Sequence, residues 1–583
     1  MDGNEIMHRK DELRRAVSDL RDRGLTTAAK FAADLLTALP EVEGKAVKRK
    51  SKTPERGRSA TDDDEDAFQS GKCLFDLKEY KRAAHALRKL QGPRAVFLRC
   101  YATYLLGESR KEEERLEAGG LMGSSQAVNK ELQALDIELQ EATAETQADP
   151  FLLYLHGLVH IDRDNRAEGK ELLLRSLHAF PCNWSAWLAL GTLQGGADVD
   201  ADSALPRHWM RNFFLTHVCV EGQENEEALG RLSDLTAEFP DSDWISATAA
   251  LAQYNLRNFD EAQELYEDLL ERDPHRIDGM DTYSNILYVK EHFAALSHLA
   301  HRVSAADKYR PETCCIIGNY YSLKGQHEKA VTYFRRALKL SRHYLSAWTL
   351  MGHEYVEMKN PPAAIEAYRQ AVDLNPRDYR AWYGLGQTYE LLHMPVYALH
   401  YYQRATQLRP HDARFWCAVG QCYAHEQLGM DEAAIRCYQR AHDSDDREGI
   451  ALHRLAQAHE RRGDAEQAAY YYEMNLHRMD AEQVAGSEAV DALMFLAAYH
   501  KEQGTLALAE GLCMRLLDYG ASSKERARAL LREIRSLQGG MGVLGQAAGR
   551  MDVLDFGSMT PAPMNPEADY MDPAGSDIEL SPG

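Results

Sequence analysis

The sequence predicts an all-α solenoid of antiparallel helix pairs, with an N-terminal helical element, a charged linker and a disordered C-terminal tail. Three observations predict it. Trp348, Trp382 and Trp416 recur at a spacing of 34 residues. Each is followed by the same small and aromatic residues at the same offsets. No segment outside the repeating part is long and patterned enough to supply a separate globular domain.

The register reads Trp382, Leu385-Gly386, Tyr389, Ala398, Tyr402, Ala405 and Pro410 in one unit, and Trp348, Met351-Gly352, Tyr355, Ala364, Tyr368, Ala371 and Pro376 in the unit before it. A third copy has Cys314, Ile317-Gly318, Tyr321, Ala330, Phe334 and Ala337. This is the tetratricopeptide (TPR) pattern. Two thin antiparallel helices cannot bury their own apolar faces, so Gly352, Ala364, Gly386 and Ala398 let each pair approach closely and the tyrosines fill the remaining space. Pro376 and Pro410 end the second helices, because proline lacks the amide donor and its ring clashes with the preceding turn.

Residues 1–40 carry the apolar rhythm Leu13, Val17, Leu20, then Phe31, Leu35 and Leu36, interrupted at Gly24, which predicts a helical hairpin that caps or docks. Residues 41–66 form a charged linker, basic from Lys45 to Arg58 and then acidic from Asp62 to Asp66. A degenerate repeat occupies 67–106, with Gly71, Tyr80, Ala83 and Leu87 in order. Residues 107–149 break the period and read as an insertion, partly helical. Degenerate repeats fill 150–310, with a mobile loop expected at Gly195–Pro206 and a pair beginning at Trp187-Gly191. Regular repeats and a capping helix, Ser523–Gln538, occupy 311–538, with a two-residue stretch of the period at Gly429-Met430. Residues 539–583, rich in Gly, Met, Pro and Asp, read as disordered. Thr53-Pro54, Thr560-Pro561 and Ser581-Pro582 are candidate phosphorylation sites.

Composition limits function. With 68 Lys+Arg against 90 Asp+Glu, the net charge is −22, which argues against a general nucleic-acid-binding surface. The ten cysteines contain no C-x-x-C and read as small buried residues of a reduced protein. The first residues lack the apolar core of a signal peptide, and no run of about 18 apolar residues occurs. A soluble protein of nucleus and cytoplasm, without a membrane partner, is the expectation.

No catalytic constellation is present. The chain has no G-x-x-x-x-G-K-[ST], H-E-x-x-H or G-x-S-x-G. Gly384-Leu385-Gly386 falls within a first helix, where glycine serves close packing. Glu390-x-x-His393 lacks the second copy that a bridged metal pair needs. Cys417, Cys422 and Cys437 do not have the tight paired spacing of zinc sites. The expectation is a non-enzyme without cofactor or metal.

The candidate site is the concave surface. In each pair, positions 2, 5, 9 and 12 of the first helix lie opposite the packed stripe and point inward. They select Asn319 and Ser322; Ser346, Thr349, His353 and Val356; Arg380, Tyr383, Gln387 and Glu390; and Arg414, Cys417, Gln421 and Ala424. Asn319, His353, Tyr383, Gln387, Glu390, Arg414 and Gln421, with Glu357 nearby, form the predicted peptide-binding groove. Glu390 and Glu357 are the candidate partners for a basic residue of an extended peptide, through a charge-assisted hydrogen bond.

Beyond the repeat consensus, Asn319–Ala330, Leu345–Tyr355 and Asn375–Glu390 resemble subunit eight of the anaphase-promoting complex, the cell division cycle protein 23 family. The resemblance is strongest over 310–445, and its specificity rests on residues read as exposed: His353, Glu354, Lys359-Asn360 and Arg377-Asp378. Arg23-Gly24-Leu25 and Ala29-Lys30 match the family's opening, with Phe31 where tryptophan is more usual. The resemblance implies a non-catalytic scaffold subunit of a mitotic ubiquitin ligase. It implies a homodimer through the N-terminal repeats, stacking on other TPR subunits, and capture of an arginine-containing coactivator peptide. The alternative from the residues alone is a co-chaperone or other peptide-binding adaptor, with Arg380 and Arg414 in a carboxylate clamp.

Overall fold

The computed structural model describes residues 3–40, 60–119, 127–144, 148–193, 204–444, 446, 449–482 and 486–544. Among these, the chain forms 28 α-helices and one short 3-10 turn, with no strand. It divides into two compact units, Met1–Ala451 and Leu452–Gly583.

Within the larger unit, helix pairs close on glycine–aromatic contacts. A Cβ added at Gly318, Gly352, Gly386 or Gly420 would fall 2.4–2.6 Å from the ring of Phe334, Tyr368, Tyr402 or Tyr438 of the second helix of the same pair. These rings are almost completely buried, and burying each stabilises the fold by about 1.5–3 kcal/mol. Gly384 likewise abuts Tyr368, so the glycine pair in Gly384-Leu385-Gly386 serves packing. Ala364 and Ala398 are fully buried in the same seams.

One backbone feature marks the repeat more faithfully than its side chains do, and one side-chain bond recurs at four tryptophans. The residue that reverses the chain between first and second helix has positive φ at Gln223, Arg257, Glu291, Gly325, Lys359 and His393, each 34 residues after the last. The weak repeats upstream of Cys314 therefore keep the same period as the strong ones. The next such residues are Gly429, two residues late as the sequence indicates, and Gly463. The recurring side-chain bond is that of the indole. Trp187, Trp348, Trp382 and Trp416 each donate Nε1–H to the carbonyl six residues earlier, at Pro181, Arg342, Pro376 and Pro410, over 2.7–2.9 Å. Each tryptophan thus fastens the turn that leads into its own helix.

Helix Trp184–Leu193 departs from the expected pairing. The chain continues through 204–209 without helix and enters Met210–Glu221, which the positive-φ Gln223 marks as another first helix. The pair expected from Trp187 thus has one helix among the described residues. Most of the expected loop before Pro206 lies outside them. The charged linker also ends earlier than expected, because helix Ala60–Asp76 begins within it. The basic run and the Ser/Thr-Pro positions lie outside the described residues. In the insertion, helix Pro93–Gly119 runs on without a break, and Leu132–Thr143 packs on Pro150–Asp162.

The N-terminal hairpin, helices Gly3–Asp22 and Thr26–Ala38 joined at the positive-φ Gly24, lies against first helices of the 150–310 region. Phe31 stacks on Trp184 at 4.3 Å and meets Phe213 and Trp244 edge-on at 5.9 and 5.6 Å. Arg9 donates to Glu238 at 2.7 Å, and Arg23 donates to Asp149 at 3.0 Å while covering Phe151. Lys30 pairs with Asp278. Glu12 accepts from Trp209 and lies 2.9 Å from His208. Aromatic burial holds the hairpin, and the ion pairs fix its register.

In the smaller unit, Ala456, Ala468, Tyr472, Leu493 and Leu496 form a core of the same kind. Helix Ala521–Leu544 closes its end with Ala527, Leu531 and Ile534 buried. That helix runs past Gly539, where the tail was expected to begin. Residues 545–583 lie outside the described residues. No helix among the described residues is long and apolar enough to cross a membrane. Nine of the ten cysteines are buried and none forms a disulfide. Burial first, then the Glu390 carboxylate, pushes the Cys422 thiol up to about 12, which keeps it neutral.

Candidate functional site

The candidate groove is built on first helices Pro311–Leu323, Leu345–Glu357, Tyr379–Leu391 and Ala413–Ala424. Asp378 and Asp412 cap the last two, each accepting from the backbone N–H two residues on at 3.1 Å. These caps offset orphan amide donors at the helix starts and fix where positions 2, 5, 9 and 12 face.

The predicted residues divide into two groups. Glu390 and Gln421 come together: Gln421 Nε2 donates to one Glu390 oxygen at 2.9 Å, and the Tyr402 hydroxyl donates to the other at 2.7 Å. The carboxylate is held by two repeats yet stays partly exposed. Tyr383 packs against Tyr402 at 5.3 Å and Phe415 at 5.2 Å, and Phe415 reaches Tyr379 at 5.7 Å, which makes an aromatic ladder beside Glu390. Gln387, Glu357 and His353 are exposed. His353 Nδ1 lies 2.8 Å from the Tyr368 hydroxyl. Desolvation by the surrounding wall, then the charge of Arg380, holds His353 below the ordinary imidazole range.

Asn319 and Arg414 are engaged within the chain instead. Asn319 is 2 % exposed and donates to Ser284 Oγ at 2.8 Å and Asn285 Oδ1 at 2.7 Å, so its amide stitches adjacent repeats together. Arg414 makes two bonds to Asp412, at 3.1 and 2.8 Å. Among the other inward positions, Ser322, Thr349 and Cys417 are also buried. Glu354, read from sequence as exposed, is 5 % exposed, accepting from Ser322 at 2.6 Å with His327 Nδ1 at 2.8 Å. Position along a helix gives direction only; a neighbour one repeat away decides whether the side chain is covered.

Contacts across more than a hundred residues were not legible in the repeat pattern. Arg380 lies over the Tyr254 ring at 4.9 Å and donates to Asn255 Oδ1 at 3.3 Å. Arg409 donates to the Asn255 carbonyl at 2.9 Å and lies 4.3 Å over Tyr379. The carbonyl end of helix Asp243–Asn255 thus receives two cations, a favourable placement for its dipole. Beside this contact lies a cavity of about 600 Å³, walled by residues such as Glu224, Arg257, His411 and Arg414. Of the two arginines that a carboxylate clamp would use, Arg380 is engaged in this contact and Arg414 is bonded to Asp412.

Comparison with known proteins agrees with this architecture. Residues 8–250 match the family described as anaphase promoting complex subunit 8 / Cdc23, and 248–275, 311–344 and 352–392 match tetratricopeptide repeat families. Anaphase-promoting complex subunit 8 of Arabidopsis thaliana is 51% identical over 561 residues, spanning 91% of this chain and 97% of that protein. The Dictyostelium discoideum subunit 8 is 43% identical over 90% of this chain and 98% of its own length. The Saccharomyces cerevisiae subunit CDC23 is 34% identical, over 90% of this chain and 97% of its own. A crystal structure of the APC/C hetero-tetramer Cut9–Hcn1 superposes with a TM-score of 0.52 at 15% identity, covering 80% of this chain and 96% of that one, a likeness of fold. With a repeat ladder of the predicted period and relatives matched along nearly their whole length, the chain belongs to the anaphase-promoting complex subunit 8 / Cdc23 family.

Proposed function

We propose that this chain is a non-catalytic scaffold subunit of the anaphase-promoting complex ubiquitin ligase, acting in nucleus and cytoplasm. In this reading it forms a homodimer through its N-terminal repeats, stacks on other TPR subunits and holds a coactivator peptide on the inner wall of residues 311–444. The observation that carries the scaffold role is the 51% identity along 97% of a subunit 8. Repeats whose side chains are spent on stacking are suited to large surfaces, and no catalytic motif competes with that use.

The peptide assignment rests on the division of the inner wall. The chain's own hairpin covers first helices of the 150–310 region through Phe31. The downstream wall retains exposed Gln387, His353 and Glu357 around a carboxylate, Glu390, already oriented by Tyr402 and Gln421. A guanidinium brought to Glu390 gains a charge-assisted bond, and the ladder of Tyr383 and Phe415 offers ring faces for its plane.

Co-purification of the endogenous protein tests the scaffold role. Recovery of other TPR subunits with a cullin–RING pair is the expected outcome, and recovery of chaperones alone would overturn it in favour of an adaptor. For the groove, Glu390→Gln is expected to weaken an arginine-containing coactivator peptide about tenfold, or roughly 1.4 kcal/mol. Unchanged affinity in a variant with alanine at His353, Tyr383, Gln387 and Glu390 would remove the peptide from this wall.

A further inference from the structure

The strongest unassigned chemistry lies where the insertion meets the repeats. On helix Pro150–Asp162, His156 and His160 are four residues apart and share one face. Their Nε2 atoms approach to 3.1 Å. Asp136, on helix Leu132–Thr143, places Oδ1 at 3.3 Å from His156 Nε2 and 3.5 Å from His160 Nε2. Three ligand-type atoms from two helices thus form a nearly equilateral triangle. Two ligand atoms at the usual 2.0–2.1 Å from a tetrahedral zinc ion stand about 3.3 Å apart, the size of this triangle.

The outer partners are also in place. Thr143 donates its hydroxyl to the Leu139 carbonyl at 2.7 Å, so at 3.1 Å from His156 Nδ1 it is an acceptor for the proton on that nitrogen. This leaves the His156 Nε2 lone pair facing the triangle. His160 Nδ1 lies 3.2 Å from a Glu168 carboxylate oxygen and 3.5 Å from the Asn165 amide. Without a cation, His160 keeps its proton on Nε2 and donates to His156. With one, that proton has an acceptor waiting at Glu168, the carboxylate–histidine–metal arrangement that raises ligand basicity. Arg163 holds the other oxygen of Asp136. His156 is buried, while the side chains of His160 and Asp136 are 12% and 20% exposed, leaving a side open for water as the fourth ligand.

We propose that Asp136, His156 and His160 bind a divalent transition ion of the zinc class, which pins the inserted helix Leu132–Thr143 to the first helix of the following repeat. The ion takes the place of the proton between the two histidines; that proton moves to His160 Nδ1, where it is donated to Glu168, so the imidazole stays neutral, no net proton is released and no redox step is involved.

The test uses the full chain, stripped with chelator and titrated with zinc alone. The expected result is one tight equivalent, a raised Tm, and slower amide hydrogen exchange across 132–143 in the wild-type chain. His160→Gln and Asp136→Asn should each weaken that equivalent at least tenfold, while Thr143→Val, which changes only the outer partner, should weaken it about tenfold. Retention of the equivalent in a His156→Gln, His160→Gln double variant would assign the ion to the cysteines and overturn the site. Absence of any zinc effect on exchange across 132–143 in the wild-type chain would overturn it without recourse to variants.

Discussion

Phe31 and Trp184 stack at 4.3 Å with their planes 20° apart, joining the N-terminal hairpin to a helix more than 150 residues away. Phe213 and Trp244 close the same pocket edge-on. The hairpin is therefore an integral part of the fold. Removing the ring leaves a cavity among aromatics, so Phe31→Ala is expected to destabilise hairpin docking by about 3–5 kcal/mol. The measurement is protease cleavage within 3–40 together with tryptophan fluorescence; wild-type cleavage rates in the variant would contradict the docking energetics.

Acid should release the hairpin before it unfolds the repeats. Burial raises the Glu12 and Asp278 carboxyls, but hydrogen bonds and charge from His208 for Glu12, and from Lys30 and Arg310 for Asp278, prevail and leave both below the usual carboxylate range. A group with a lowered folded pKa contributes stability above its unfolded value and loses it as pH falls through the folded value. Docking should begin to weaken as pH falls through the ordinary carboxylate range and be lost below it. Lys30→Ala should move the release to higher pH, and a fluorescence transition at an unchanged pH would refute the role of that pair.

Two glycine substitutions should separate close packing from backbone strain. At Gly386 a Cβ meets the Tyr402 ring at 2.4 Å, whereas at Gly325 nothing lies within 4 Å but φ is +72°. Gly386→Ala must displace a buried ring and is expected to cost about 1–3 kcal/mol, as are Ala364→Leu and Ala398→Leu in the same seams. Gly325→Ala meets only the left-handed penalty, about 1–2 kcal/mol. Converting Gly325 to Asn, which tolerates that region, should recover most of the loss, while Gly386→Asn should be worse than Gly386→Ala. Denaturant midpoints in the opposite order would refute the distinction.

The indole bonds predict unequal costs for one substitution. Trp348 is fully buried, and its bond to the Arg342 carbonyl is partly buried, whereas the Trp382 bond to Pro376 is exposed. Trp348→Phe leaves a carbonyl short of a partner where water is scarce, costing about 1–3 kcal/mol. Trp382→Phe lets water replace the indole and should cost less. Equal shifts in Tm for the two variants would show that ring volume, and not the bond, sets the loss.

The regular repeats were legible in the sequence because a 34-residue period is a local property: Gly386 with Tyr402 and Gly352 with Tyr368 are neighbours along one helix pair, and residue size alone states the fit. The upstream repeats were faint because Thr216, Ala250 and Ser284 stand where the regular repeats have Gly318, Gly352 and Gly386, while the turn residue is non-glycine in both sets, as at Gln223 and Lys359. In the candidate site, Glu390 was legible as an inward carboxylate, but its pairing with Gln421 and Tyr402 was not, nor was the burial of Asn319.

By itself the sequence determined the helix pair, its period, its stacking residues and the family to which they belong, since each depends on contacts within about one repeat. The tertiary structure decided which inward residues stay open. Docking of the hairpin on Trp184, the approach of Arg380 to Asn255, and the meeting of Asp136 with His156 and His160 all depend on curvature and insertion geometry. Small rotations at each repeat interface add up along the stack, and no local pattern encodes their sum.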